Sequence, residues 1–201
     1  MSRVVEFFFD FMSPYSYLAA TRVEAVVAPA GATVRYRPCF LPGVLRATGN
    51  RGPAEIPAKL AHTFKDLSDW TEALGLSPIR VPETFPFLTT QANRAALVAI
   101  DEEQGRAFVR SMFEAIWRDG RDGSDEGVIA EVLTAAGLDA ARLLAAASSP
   151  ALKERLKAAT DEAVSRGAYG VPTFFIGDEM FVGNDRLDFV ARRLARPAKD
   201  P

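Results

Sequence analysis

The sequence predicts an α/β fold in which a mixed four-stranded sheet is divided along the chain by a large all-helical insertion. Three observations predict it. Strand-like segments cluster near the two ends of the chain, at 3–37 and 173–182. The stretch from Val44 to Arg166 carries helical spacing and almost no strand signal. The opening order is β-α-β, whose crossover helix requires parallel strands, and the closing order is β-β-α, whose short link makes a hairpin.

The elements follow in order. Arg3–Phe9 (RVVEFFF) is rich in Val and Phe and reads as a buried strand. Ser13 is a good helix cap, and Pro14 takes the first helical position, where a missing N–H costs nothing. Leu18, Ala19, Val23, Val26 and Val27 then give helical spacing as far as Ala28, and Pro29-Ala30-Gly31 ends the helix. Thr33–Arg37 alternates as a second strand, closed by Pro38 and Pro42. Pro57–Leu74 is an amphipathic helix with Leu60, Phe64, Leu67 and Trp70 near one face, and Ser77–Phe87, with three prolines, is an extended loop. Helices are expected over Thr89–Glu103, Arg106–Arg118, Asp125–Ala136, Asp139–Ala147 and Pro150–Arg166, broken by Gly105, Gly120, Gly123 and Gly137. Thr173–Ile176 and Met180–Val182 form the hairpin, and Asp185–Leu194 is a closing helix. This is thioredoxin-like topology, with 1–40 and 167–201 forming one domain and 41–166 inserted into it.

Composition narrows the function. With 48 % apolar and 25 % charged residues the chain is not disordered. Twenty-four Lys and Arg against 26 Asp and Glu leave a net charge of −2, so nucleic acid is not an expected partner. No run approaches the roughly 18 apolar residues of a membrane span, and no membrane partner is expected. The first residues, MSRVVEFFFDF, lack a small-residue cleavage site and carry Glu6 and Asp10 inside the apolar run, so no secretory signal is expected and the location is expected to be cytoplasmic. One cysteine, Cys39, excludes an intrachain disulfide, and Cys39 with the single His62 is too little for a His/Cys zinc site. No metal is expected. Cys39 reads as a buried small hydrophobe, His62 as structural or exposed, and the acidic stretch 119–126 as a solvated loop without calcium-loop spacing.

Three turns could carry chemistry. Met12-Ser13-Pro14-Tyr15-Ser16 lies where the first strand meets the first helix, a position where ligands of open α/β sheets bind and where a helix N-terminus favours an anion. The alternative is that Ser13 only caps the helix. Gly170-Val171-Pro172-Thr173 puts a proline directly before a buried strand, which fits either a cis bond that exposes the Val171 main chain or an ordinary trans proline. Gly183-Asn184-Asp185-Arg186 either caps the last helix through Asn184 or Asp185 or meets a cationic or amide-bearing ligand group. Trp70, Phe85, Phe87 and Trp117 either line a substrate pocket or belong to the core.

Taken together, Phe7 to Ala19 (FFFDFMSPYSYLA) and Gly170 to Leu187 (GVPTFFIGDEMFVGNDRL), with a weaker match at Gly49-Asn50-Arg51-Gly52-Pro53 and Lys59, resemble the 2-hydroxychromene-2-carboxylate isomerase family. That family is kin to the kappa-class glutathione transferases and has a DsbA-like thioredoxin fold. Where thioredoxin-fold oxidoreductases carry cysteine this chain has Ser13, with Ser16 three positions on, and hydroxyls cannot exchange disulfides. The resemblance therefore implies an external thiol, glutathione, as cofactor, a small aromatic substrate and a homodimer. It implies Ser13 as the catalytic residue that activates the thiol, with Pro14 and Tyr15 beside it. The peptide of glutathione is expected to pair with Val171 next to a cis Pro172. The γ-glutamyl end would lie at Asn184 and Asp185, and the glycyl carboxylate near Asn50 and Lys59. A kappa-type transferase or peroxidase and a non-catalytic thioredoxin-like binding protein are the rival readings. One departure concerns Val182, where family members often carry a bulky aromatic just before the G-N-D-R turn, and it puts the aromatic substrate in question.

Overall fold

A computed structural model describes residues 3–196. The residues at the two ends of the expected thioredoxin-like segments, 1, 2 and 197–201, lie outside the described residues. The first strand, β1 (Val4–Phe9), runs into helix α1 (Pro14–Val27) and returns through β2 (Thr33–Pro38). A helical series follows: α2 (Leu41–Thr48), α3 (Pro57–Ala73), α4 (Thr90–Asp101), α5 (Gly105–Trp117), α6 (Glu126–Ala135), α7 (Ala140–Ala147) and α8 (Pro150–Ser165). The chain then closes with β3 (Thr173–Ile176), β4 (Glu179–Val182) and α9 (Leu187–Ala195). The sheet order is β2-β1-β3-β4, with β1 parallel to β2 and antiparallel to β3, so the expected mixed four-stranded sheet is present.

Burial explains why β1 is central. Val5, Phe7 and Phe9 point into the main core and Phe8 into a smaller one on the opposite face, so both faces of the strand are covered. Phe7 stacks on Phe174 of β3 at 5.1 Å between ring centroids, and Phe9 and Phe11 meet Phe113 of α5 at 5.6 and 4.8 Å. Pro38 is tolerated because β2 is an edge strand. On the second face Arg166 lies 3.8 Å over the Phe175 ring and, with Arg37 at 3.1 Å, pairs at 2.7 Å with the half-buried Glu6.

Three local expectations are corrected. Helix α2 has no counterpart in the sequence reading, because Pro42 and Gly43 in its first turn look like punctuation. Gly105 begins α5 rather than breaking the chain, and its backbone lies so close to Ile100 that a Cβ there would sit 2.8 Å from the Ile100 Cα. The last helix does not start at Asp185. A 3-10 turn over Asn184–Arg186 precedes α9, and neither Asn184 nor Asp185 caps it.

Candidate active site

The turn after β1 is built on a buried carboxylate. Asp10 accepts hydrogen bonds from Met12 N (3.1 Å), Leu41 N (2.8 Å), Asn93 Nδ2 (2.9 Å) and Thr89 Oγ1. Those four donors come from the β1–α1 turn, the start of α2 and the start of α4, so one side chain locks three segments together. Burial pushes the Asp10 carboxyl up, and the four hydrogen bonds oppose that shift without overcoming it. The main-chain oxygen of Asp10 accepts from Ser13 N at 3.0 Å and sets the position from which Ser13 starts α1.

Ser13 is 4 % exposed. Its Oγ accepts from Ser16 N at 3.1 Å, so the capping role is realised, and its own proton faces Val171 O at 3.4 Å. That second bond is long and therefore weak, so the hydroxyl proton can be redirected to a ligand at little cost. At the helix start Pro14 has no N–H, and Ser16 N and Tyr17 N are engaged by Ser13. Tyr15 N–H is the donor left open there. The Tyr15 phenol donates to Asp66 Oδ2 at 2.8 Å, and burial first, then Asp66 and more weakly Asp185, push its ionisation well up.

Opposite Ser13, the Val171–Pro172 peptide bond is cis, the alternative that the family resemblance favours. Pro172 O accepts from Gly183 N at 2.9 Å and Thr173 Oγ1 donates to Gly170 O at 2.7 Å, which braces this segment at the head of β3. A second cis bond, Phe85–Pro86, lies in the loop between α3 and α4 and carries no sequence signal beyond the proline itself.

Around these groups lies a cleft of about 780 Å³. Ser13, Pro14, Tyr15, Asn50, Lys59 and Val171 all line it, so the structure brings together residues that the chain holds 158 positions apart. Pro172 does not line the cleft; it is buried behind Val171. Asn184 and Asp185 do not line it either. Asn184 is buried with its Nδ2 unpartnered among the described residues, and Asp185 is exposed, pairs with Arg186 at 3.6 Å and folds back over Gly183. Gly183 has φ 106°, a backbone conformation that side-chain-bearing residues rarely adopt, which is why a glycine stands at that position.

One end of the cleft carries three cations and one acid, Glu55, which pairs with Arg51 at 3.6 Å. Lys59 Nζ donates to Arg51 O at 3.2 Å and Asn50 Nδ2 to Tyr169 O at 2.8 Å, fixing the loop that carries them. Lys59 lies on α3, not on the first helix of the inserted block, which is α2. Arg46 and Arg51 join it there; Arg51 lies inside the Gly49–Pro53 stretch quoted from the sequence without a role, and Arg46 was not singled out. The rest of the wall is apolar, with Leu60, Phe64, Phe85, Phe87 and Trp117. Trp117 is anchored by its Nε1 donating to Phe11 O at 2.9 Å. Trp70 stays out of the cleft and lies under Arg22 instead. Val182 pairs with Thr173 in the sheet and does not line the cleft. Cys39 is fully buried with its thiol pushed well up, and His62 is exposed and outside the cleft. The chain thus brings neither a thiol nor an imidazole to Ser13.

Residues 4–195 match the DSBA-like thioredoxin domain. A 2-hydroxychromene-2-carboxylate isomerase from Sphingobium xenophagum is 36 % identical over 194 residues, covering 94 % of this chain and 97 % of that one. The chain belongs to the 2-hydroxychromene-2-carboxylate isomerase family. A solved isomerase of this family superposes with a TM-score of 0.87 at 34 % identity, over 96 % of this chain and 95 % of that one. The kinship reaches a glutathione S-transferase kappa 2 from Caenorhabditis elegans, 29 % identical over 99 % of this chain and 95 % of the relative. Within this family the absence of cysteine from the Ser13 turn separates the chain chemically from the disulfide oxidoreductases that share its fold.

Proposed function

We propose that this protein is a glutathione-dependent isomerase that interconverts a 2-hydroxychromene-2-carboxylate-type ring form and its open-chain benzylidenepyruvate. The observation that carries the reading is Ser13: a buried hydroxyl with a weakly held proton, beside one open helix-start N–H, in a cleft to which the chain supplies no nucleophile of its own. Glutathione, when bound, would supply a thiolate able to add reversibly to the conjugated double bond of the ring-opened substrate, and Ser13, Tyr15 and Val171 are the residues that would hold it. Ser13 Oγ–H and Tyr15 N–H donate to the sulfur and favour its ionised form. A free thiol titrates near about 8.5, and one hydrogen bond to a charged group is worth roughly 1.5–3 kcal/mol, or about one to two pKa units. Ser13 activates a bound thiol and is not itself the nucleophile.

Val171 offers its main chain to the peptide of the ligand. Lys59, Arg51 and Arg46 form the positive end that takes carboxylates, and Phe85, Phe87 and Trp117 offer ring faces to an aromatic substrate. The γ-glutamyl end would reach Asn184 and Asp185 only if the 3-10 turn that carries them opened toward the cleft, since neither residue lines it. The test is conversion of 2-hydroxychromene-2-carboxylate followed from both sides of the equilibrium at a fixed, substoichiometric amount of glutathione. Interconversion that needs glutathione and leaves its concentration unchanged is expected. Consumption of glutathione would give the kappa-type transferase reading, and failure of glutathione to bind in calorimetry would leave a thioredoxin-like binding protein.

A further inference from the structure

A second cavity, of about 680 Å³, lies across α2 from the cleft. Leu41 and Leu45 of α2 face the cleft, whereas Gly43 and Ala47 face this cavity; each pair is four positions apart, so the two pairs lie on opposite sides of the helix. The other walls are the first turn of α4, with Thr90 and Arg94, and the inner face of α8. Its apolar surface is contributed by Phe40, Leu156 and Val164. Thr160, also in the wall, is spent on internal bonds, accepting from Phe40 N at 2.9 Å and donating to Leu156 O at 2.7 Å.

The cavity collects four cations and one acid, Asp161, and three of the cations have no counter-charge among the described residues. Arg46, Arg94, Lys153 and Lys157 line it, and among the described residues only Lys157 pairs with a carboxylate, Asp161 at 2.7 Å. The nearby acids are committed elsewhere: Asp101 to Arg155 at 2.7 Å, Glu102 to Arg142 at 2.8 Å, and Glu162 to Arg37 and Arg166. Arg94 is half-buried, and its one bond, from Nε to Thr90 O at 3.0 Å, leaves both terminal nitrogens of the guanidinium free. A half-buried cation without a counter-charge is costly, and an anion in the cavity removes that cost.

We propose that this cavity binds an organic carboxylate with an apolar body, an aromatic or short aliphatic acid, with the carboxylate between Arg94 and Lys153 and the body on Phe40, Leu156 and Val164. A bare inorganic anion makes no use of the apolar surface, and a neutral apolar molecule leaves Arg94 uncompensated. The volume suits a small molecule. The inference is independent of the glutathione reading, because none of Arg94, Lys153, Leu156 and Val164 lines the cleft.

The test is an amide-resonance titration of the full chain with 2-naphthoate, with 2-naphthalenemethanol and inorganic phosphate as controls. Saturable shifts at Gly43, Ala47, Leu156 and Val164 are expected, distinct in concentration dependence from any at Ser13, Tyr15 and Val171. The double variant Arg94→Gln/Lys153→Gln is expected to weaken naphthoate at the first group by about tenfold or more and to leave shifts at the second group unchanged. Where the double variant does not fold, the exposed Lys153→Gln alone is expected to weaken the first group by a few-fold. Shifts confined to the Ser13 group overturn the proposal. So do equal binding of the neutral alcohol, binding of phosphate as tight as that of naphthoate, or unaltered affinity in the folded variant.

Discussion

Replacing Ser13 by alanine removes two hydrogen bonds with different consequences, and their sizes can be worked out separately. The Oγ acceptor for Ser16 N is a helix cap, and losing a serine cap costs typically about 1 kcal/mol. In a chain of 201 residues that lowers Tm by roughly 2–4 °C. The same change removes the donor to a bound thiolate, worth roughly 1.5–3 kcal/mol, and so raises the pKa of bound glutathione by about one to two units. Tyr15 N–H remains, so part of the stabilisation persists. The assay is thiolate absorbance near 240 nm for the glutathione complex, titrated in the parent protein and in Ser13→Ala, with thermal unfolding of both. Ser13→Thr keeps a hydroxyl and is expected to restore most of both effects. A lower Tm with an unchanged thiol pKa would show that Ser13 is a cap and nothing more, and the proposed mechanism would lose its activating group.

Asp10 makes a signed expectation. Its folded pKa is raised above the ordinary value of 3.8, so the folded state holds the extra proton and this group's contribution to stability falls as pH rises from about 3.8 through the raised value. In denaturant unfolding at several pH values, the stability of the parent minus that of Asp10→Asn should therefore decline across the acid range; a difference that rises with pH would mean that the four hydrogen bonds outweigh burial. Lys59 is exposed at the rim, so Lys59→Ala is expected to weaken glutathione by only about two- to fivefold in calorimetry, with the loss shrinking at high salt; a loss independent of ionic strength contradicts a charge contact. Gly183→Ala places a side chain at φ 106°, where only glycine is relaxed, so it is expected to destabilise by more than about 1 kcal/mol, and an unchanged unfolding midpoint would refute that geometry.

The strands and most helices were legible because their signals are local: Phe-rich β1, the Ser13-Pro14 start of α1, and the glycine breaks between α5 and α7. Helix α2 was not, since what holds it is distant: Leu41 N on Asp10 and Phe40 N on Thr160 overcome an unpromising first turn. The same reason hid the Asp10 network. An aspartate after an apolar strand looks like the end of that strand, and only the fold brings Thr89 and Asn93 against it. At the cleft the resemblance located residues within their own motifs, Ser13 to Tyr15 and Val171, but Asp185 folds back over its own turn. Arg46 was missed because its position depends on a helix the local sequence does not announce.

The contact between Ser13 Oγ and Val171 O has a consequence for when the cleft can exist. These groups are 158 residues apart, and β1 gains its antiparallel neighbour only when β3 has left the ribosome. The entropic cost of such a closure grows slowly with length, about 0.6 kcal/mol for each doubling of the loop, so its size is not prohibitive, but the order of events is fixed. During synthesis the first strand, its helix and every helix of the insertion emerge before the strand that faces Ser13. The nascent chain can pack much of its helical mass while its chemistry is still missing one wall, and binding competence arrives as a late, all-at-once event, when the last strands pair. A protein stopped short of Gly170 would be well stocked with helices and would lack the main chain that faces Ser13.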